Sequence, residues 1–137
     1  MRVLPMLILA TAMAPVCAAR LDVEVSNVRN AEGEVRLLLF DKAEGFRKEA
    51  ASRAVLALPA AVGSLRAAFD GLPPGRYAVI AYHDENANGR LDLVLGMIPA
   101  EGYGLSNAPE VFGPPSFEQA AFELDETGGQ VAIRLGY

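Results

Sequence analysis

The chain has 137 residues, a formal net charge of −5, a single cysteine and a single histidine. That length fits one ordinary domain with a sizeable core and excludes two. The acidic balance and the absence of any basic run repel a phosphate backbone and exclude nucleic acid as a partner.

The N-terminus reads as a secretory signal. Arg2 supplies a positive start, Val3 to Val16 is apolar and rich in Leu, Met and Ala, and Cys17-Ala18-Ala19 offers small residues for cleavage near Ala19. Residues 1–19 are therefore assigned as signal peptide and 20–137 as a single domain. Pro5 and the shortness of the apolar run argue against a retained transmembrane helix, which needs roughly 20 apolar residues. The mature chain is expected to be periplasmic or secreted, with no transmembrane segment. Cleavage would remove Cys17, leaving neither disulfide nor thiol nucleophile, and with Arg2 gone the charge becomes −6 (−5 less one positive charge).

Beyond the signal, apolar residues alternate with a period of two. Leu21, Val23 and Val25 share one side of a first strand, and Glu34 to Phe40 makes a second that is apolar on both faces and so central. The polar segment Asp41 to Ala51 interrupts the pattern, with Phe46 as an anchor and room for a short helical turn. Strands follow at Ser52 to Leu58 and Ser64 to Phe69, then the turn Leu72-Pro73-Pro74-Gly75, then Arg76 to His83. Val94 to Phe117 carries too many prolines and glycines for continuous helix or sheet, and is expected to pack as an ordered loop through Tyr103, Phe112 and Phe117. Strands resume at Ala120 to Leu124 and Val131 to Leu135. The reading is all-β: an antiparallel β-sandwich of about seven strands with one long ordered loop.

The chemistry concentrates in Asp84-Glu85-Asn86-Ala87-Asn88-Gly89-Arg90-Leu91-Asp92. Asp84, Asn86 and Asn88 match the first, third and fifth positions of a D-x-[DN]-x-[DN]-G calcium loop, which supplies the oxygen donors that this hard cation takes at roughly 2.3–2.6 Å. Gly89 permits the sharp bend, the Arg90 carbonyl can turn inward, and Asp92 falls at the ninth position. The twelfth position is Leu95 where an EF-hand has a bidentate Glu, and no helical pattern flanks the loop. An EF-hand is thereby disfavoured, and a shell completed by water, Glu101 or Glu85 is expected to bind calcium weakly, on the order of 10⁻⁴ to 10⁻³ M. The bland alternative is an Asn/Asp/Gly turn that bonds to itself and binds nothing.

Other polar residues weigh less. His83 is expected on the opposite strand face from Asp84, as a hydrogen-bonded structural residue. Ser106 and Ser116 lie outside any Gly-x-Ser-x-Gly elbow. Zinc is disfavoured by one His and no mature Cys. Glu101, Tyr103, Ser106 and Asn107 are candidates to line a pocket with the cation loop.

Four linked stretches, Leu72-Pro73-Pro74-Gly75-Arg76-Tyr77-Ala78-Val79, His83 to Asp92, Gly96 to Asn107 with Met97-Ile98-Pro99 at its start, and Gly113-Pro114-Pro115-Ser116-Phe117, occur in an order that resembles the bacterial domain of unknown function number 2141. The resemblance covers about Leu21 to Tyr137. It implies an exported β-sandwich akin to transthyretin-like or carboxypeptidase-regulatory-like modules, and brings no established activity. The functional expectation is a non-enzymatic binding or structural module of the cell envelope. Its partner would be an envelope protein or a glycan, and its metal site would comprise Asp84, Asn86, Asn88, Arg90, Asp92 and Glu101. The alternative is a glycan-directed hydrolase using Asp84, Asp92 and Glu101, whose paired carboxyls would sit about 5–9.5 Å apart.

Overall fold

The computed structural model describes residues 18–90, 101–109 and 114–137, with 93–94 and 98–99 described as backbone. The body of the expected signal peptide, Asp92, Leu95 and Phe112 lie outside the described residues. Among the described residues no helix is long and apolar enough to cross a membrane.

Alternation builds two layers. The strands are β1 (Ala19–Val28), β2 (Glu34–Phe40), β3 (Ala54–Pro59), β4 (Gly63–Leu72), β5 (Gly75–Asp84), the short pair β6 (Leu93–Val94) and β7 (Ile98–Pro99), β8 (Tyr103–Leu105), β9 (Phe122–Leu124) and β10 (Gly129–Arg134). One sheet runs β10-β1-β4; the other runs β3-β2-β5-β8, with β9 also paired to β5. The sandwich architecture is as expected, and β2 is central, between β3 and β5. One pairing departs from the antiparallel rule: β1 and β10 are parallel, with Leu21 opposite Gly129 and Val25 opposite Ile133.

Leu21, Val23 and Val25 of β1 face Val35, Leu37 and Leu39 of β2 and Val79 and Ala81 of β5 across the main core, all at 1% exposure or less. The central part of the outer face of the five-stranded sheet is also buried. Leu38, Phe40, Ala78, Ile80 and Tyr82 form a second cluster with Phe117, Ala120 and Ala121, against which Phe46 packs. Phe46 lies edge-on to Phe40 at 5.1 Å and to Phe117 at 5.8 Å, so the two loop segments are pinned to the sheet through aromatic contacts.

The long irregular stretch holds more order than its composition suggests. β8 forms inside it because Gly102 and Gly104 admit neighbours that a side chain would displace. A Cβ at Gly104 would sit 2.6 Å from the Arg134 carbonyl, and one at Gly102 would sit 2.4 Å from the Tyr137 ring. The strand expected over Ala120 to Leu124 is shorter, since Phe117–Ala120 is a single helical turn, α1. Ser116 caps that turn by accepting from the Gln119 amide, while the Gln119 side chain accepts from the Ser116 amide.

Candidate functional site

The candidate site forms where β5 ends. Its side chains alternate between the two cores, so His83 points inward and Asp84 to the outer face, as the period of two requires. Asp84 is fully buried. Its Oδ1 accepts the Asn88 amide at 3.1 Å and its Oδ2 accepts the Gly89 amide at 2.7 Å, which wraps the loop around the carboxylate. The Ala87 amide closes a turn on the Asp84 carbonyl at 3.2 Å, with Ala87 at φ 53° and Gly89 at φ 75°. Glycine meets that second positive φ without strain; alanine does not.

Within the loop, Asn86 Oδ1 accepts the Asn88 amide at 3.3 Å and Asn88 Oδ1 accepts the Arg90 amide at 3.1 Å. These two-residue bonds fix where the side-chain oxygens lie. A carboxamide or carboxylate oxygen that accepts one N–H keeps a second lone pair for another partner. The wrapped turn is therefore compatible both with self-bonding and with a cation.

Glu101, far along the chain, arrives at the same place. The His83 amide donates to the Gly102 carbonyl at 2.8 Å, continuing the β5–β8 register, and the Glu85 amide donates to Glu101 Oε2 at 2.7 Å. Glu101 is 7% exposed. Of the two residues considered to complete a cation shell, Glu101 is carried to the loop and Glu85 is occupied elsewhere. The Glu85 carboxylate pairs with the Arg29 guanidinium at 2.5 Å and accepts from the Asn30 side chain at 3.2 Å. Burial pushes the Glu85 carboxyl up, but the bonds from Asn30 and Arg29 and the charge of Arg29 outweigh it, and its pKa lies below the ordinary carboxylate value. Among the described residues no three His, Cys, Asp or Glu side chains gather as a metal cluster; Asp92 is not among them.

On the inner side, His83 is fully buried. Its Nε2 lies 2.7 Å from the Glu32 carbonyl, which can only accept, so in the neutral tautomer the proton is on Nε2. Nδ1 then accepts from the Tyr137 hydroxyl at 2.8 Å, and that oxygen in turn accepts the Arg29 amide at 3.1 Å. Burial raises the Tyr137 pKa above that of a free phenol, which keeps the donating proton in place. The Arg29 guanidinium lies 4.4 Å from the centre of the Tyr137 ring. This web ties the β1–β2 turn, the end of β5 and the C-terminal residue together behind the loop.

Among the described residues, the wider pocket expected around the loop does not assemble. Ser106 is fully buried, donating to the Ala120 carbonyl at 2.6 Å and accepting the Val79 amide at 2.9 Å. Asn107 donates to the Ala121 carbonyl at 2.5 Å. Tyr103 instead borders an open cleft of about 510 Å³ with Arg134 and Tyr137. Two neighbours of Asp84 escaped the sequence reading. Glu34 stands directly opposite Asp84, and Arg36 directly opposite Tyr82, on the outer face. Arg36 is held by Glu34 at 3.0 Å and by Glu49. Only the β2–β5 register reveals this, although the alternation of β2 did place Glu34 and Arg36 on one face.

The fold and this end-loop define an all-β sandwich with an Asx-rich turn sealed onto a buried carboxylate. Residues 23–132 match the bacterial family described as "Uncharacterized protein conserved in bacteria (DUF2141)", and the chain belongs to that family. No curated protein and no solved structure matches it.

Proposed function

We propose that this protein is an exported, non-enzymatic binding or structural module of the bacterial envelope in which a calcium ion stiffens the loop at the end of β5. The supporting observation is the Asp84 carboxylate, fully buried, bonded through both oxygens to loop amides and without an ion pair among the described residues. Removing a carboxylate from water is costly; amide bonds offset part of that cost, and a divalent cation offsets more. Glu101 brings a second buried carboxylate to the neighbouring residue, where it accepts the Glu85 amide at 2.7 Å, and a divalent cation would offset the burial of both acids.

The ligands in this reading are side-chain oxygens of Asp84, Asn86, Asn88, Asp92 and Glu101 with the Arg90 carbonyl. Calcium suits the mixture of carboxylate, carboxamide and carbonyl donors better than magnesium, which demands octahedral geometry and keeps its waters. The cation would stiffen the described turn over residues 84–90, and the stiffened end would present a surface to an envelope protein or a glycan, as sandwich loops do. The hydrolase reading needs carboxyls that reach a substrate. The burial of Asp84 and Glu101 and the engagement of Ser106 and Ser116 in backbone bonds favour the structural role instead.

The test is a thermal melt of the mature protein with calcium, magnesium or chelator. At tenfold excess over its dissociation constant, an ion bound only by the native state adds about 1.4 kcal/mol. That corresponds to a rise of several degrees in a domain of this size. A melt that does not respond to several millimolar calcium rejects the proposal.

A further inference from the structure

β3 forms an outer edge of the five-stranded sheet, hydrogen-bonded to β2 and to no other described strand. The Ala60 amide donates to the Gly33 carbonyl at 3.2 Å, and the same register pairs Leu58 with Val35 and Leu56 with Leu37. In an antiparallel ladder, bonded residues alternate along each strand. Ala54, Leu56 and Leu58 therefore turn their backbone groups toward β2. The N–H groups of Val55 and Ala57, and the carbonyls of Val55, Ala57 and Pro59, point away from the sheet, and no described residue bonds to them.

Such an edge is a template for another strand, and proteins usually blunt it with charge. Here the run Ala54-Val55-Leu56-Ala57-Leu58-Pro59-Ala60-Ala61-Val62 holds no charge at all. Val55 is 37% and Val62 72% exposed, two of the four large apolar side chains so exposed among the described residues. Three other edges among the described strands are protected. β4 carries Arg66 and Asp70, β10 carries Arg134, and β8 is tied to the C-terminal segment by the bridge between Tyr103 and Gly136.

We propose that the β3 edge is a self-association surface, pairing antiparallel with β3 of a second copy of this chain about a two-fold axis at Ala57. This register is self-complementary. The Ala57 amide donates to the carbonyl of the partner's Ala57 and the reverse, and the Val55 amide donates to the carbonyl of the partner's Pro59 and the reverse. Every outward donor is then satisfied. Pro59 has no amide proton to give, and this register asks none of it: its carbonyl accepts while the Val55 carbonyl stays with water. Arg53 falls opposite the partner's Ala61, so no like charges meet. One strand pair buries less than a standard interface, and the association is weak and concentration-dependent.

The test is sedimentation of the mature protein across a concentration series from micromolar to millimolar. Amide exchange at Val55 and Ala57 is followed in the same samples. The expected result is a mass that rises from one chain toward two, with exchange at these two amides slowing in parallel. Ala57 is exposed, so Ala57→Lys and Ala57→Glu should both fold, which a cooperative melt of each checks. Each alone should stay at one chain, because the axis sets like charges face to face. An equimolar mixture of the two should recover the doubled mass. Wild-type protein that remains a single chain throughout, unprotected Val55 and Ala57 amides in the dimer, or dimers of Ala57→Lys as stable as wild type would each overturn the proposal.

Discussion

The Glu85 amide donates to the Glu101 carboxylate at 2.7 Å, joining the turn after β5 to the residue that leads into β8. Sixteen positions apart in sequence, the two are brought together by the β5–β8 register, and Glu101 becomes a distant acid carried to the Asp84 loop. Glu101→Gln keeps an oxygen to accept that amide while removing the charge. The calcium-free melting temperature should stay near wild type, and most of the calcium-induced rise should disappear. A rise equal to that of wild type would remove Glu101 from the cation shell.

Tyr137 carries a hydroxyl used twice, as donor to His83 and as acceptor from Arg29. Tyr137→Phe strands the buried Nδ1 of His83 without a donor, and the expected loss is about 1–2 kcal/mol in denaturant unfolding. Because the ring remains, the loss isolates the hydrogen bonds from the packing on Gly102. A change within a few tenths of a kcal/mol would mean that water replaces the hydroxyl freely.

Glu85 gives the domain a pH dependence. Its folded pKa is lowered, so the associated stability is present above the unfolded carboxylate value and is lost as pH falls through the folded one. Stability measured by denaturant from neutral pH downward should decline below about pH 5. Glu85→Gln should flatten that decline, and an unaltered slope in the variant would assign the acid sensitivity to other groups.

Gly33 sits at φ +66°, where an added Cβ would lie 2.0 Å from the Asp84 carbonyl oxygen. Gly33→Ala is therefore expected to cost more than about 2 kcal/mol through strain and collision, and to weaken calcium binding by moving Asp84. Ser106→Ala tests a different support. It leaves the Val79 amide without its acceptor and the Ala120 carbonyl without its donor, for an expected loss of about 1–3 kcal/mol and no effect on calcium affinity. Calorimetric melts and calcium titrations of the two variants separate the two effects.

Much of this was legible in the chain because it is local. The alternation of Leu21, Val23 and Val25, of Val35, Leu37 and Leu39, and of Tyr77, Val79 and Ala81 reports burial on one face, and those strands form where the pattern places them. The Asn and Gly spacing of residues 84–90 likewise specifies its own turn bonds. Pairing is not local. β8 consists of Tyr-Gly-Leu in a stretch rich in breakers, and it is a strand only because β5 lies on one side and the C-terminal segment presses against its glycines on the other. The parallel match of β1 with β10 has no signature in either strand alone. The capping box at Ser116 to Gln119 was open to reading, since Ser and Gln three residues apart mark a helical start, and it truncates the strand expected over Ala120 to Leu124.

The central claim is that oxygens gathered by the loop after β5 hold calcium, and calorimetric titration of calcium into the chelator-treated mature protein tests it most directly. The account predicts one saturable site with a dissociation constant on the order of 10⁻⁴ to 10⁻³ M, and weaker binding by a folded Asn88→Ala variant. Titration heats that match the dilution blank up to several millimolar calcium would contradict it.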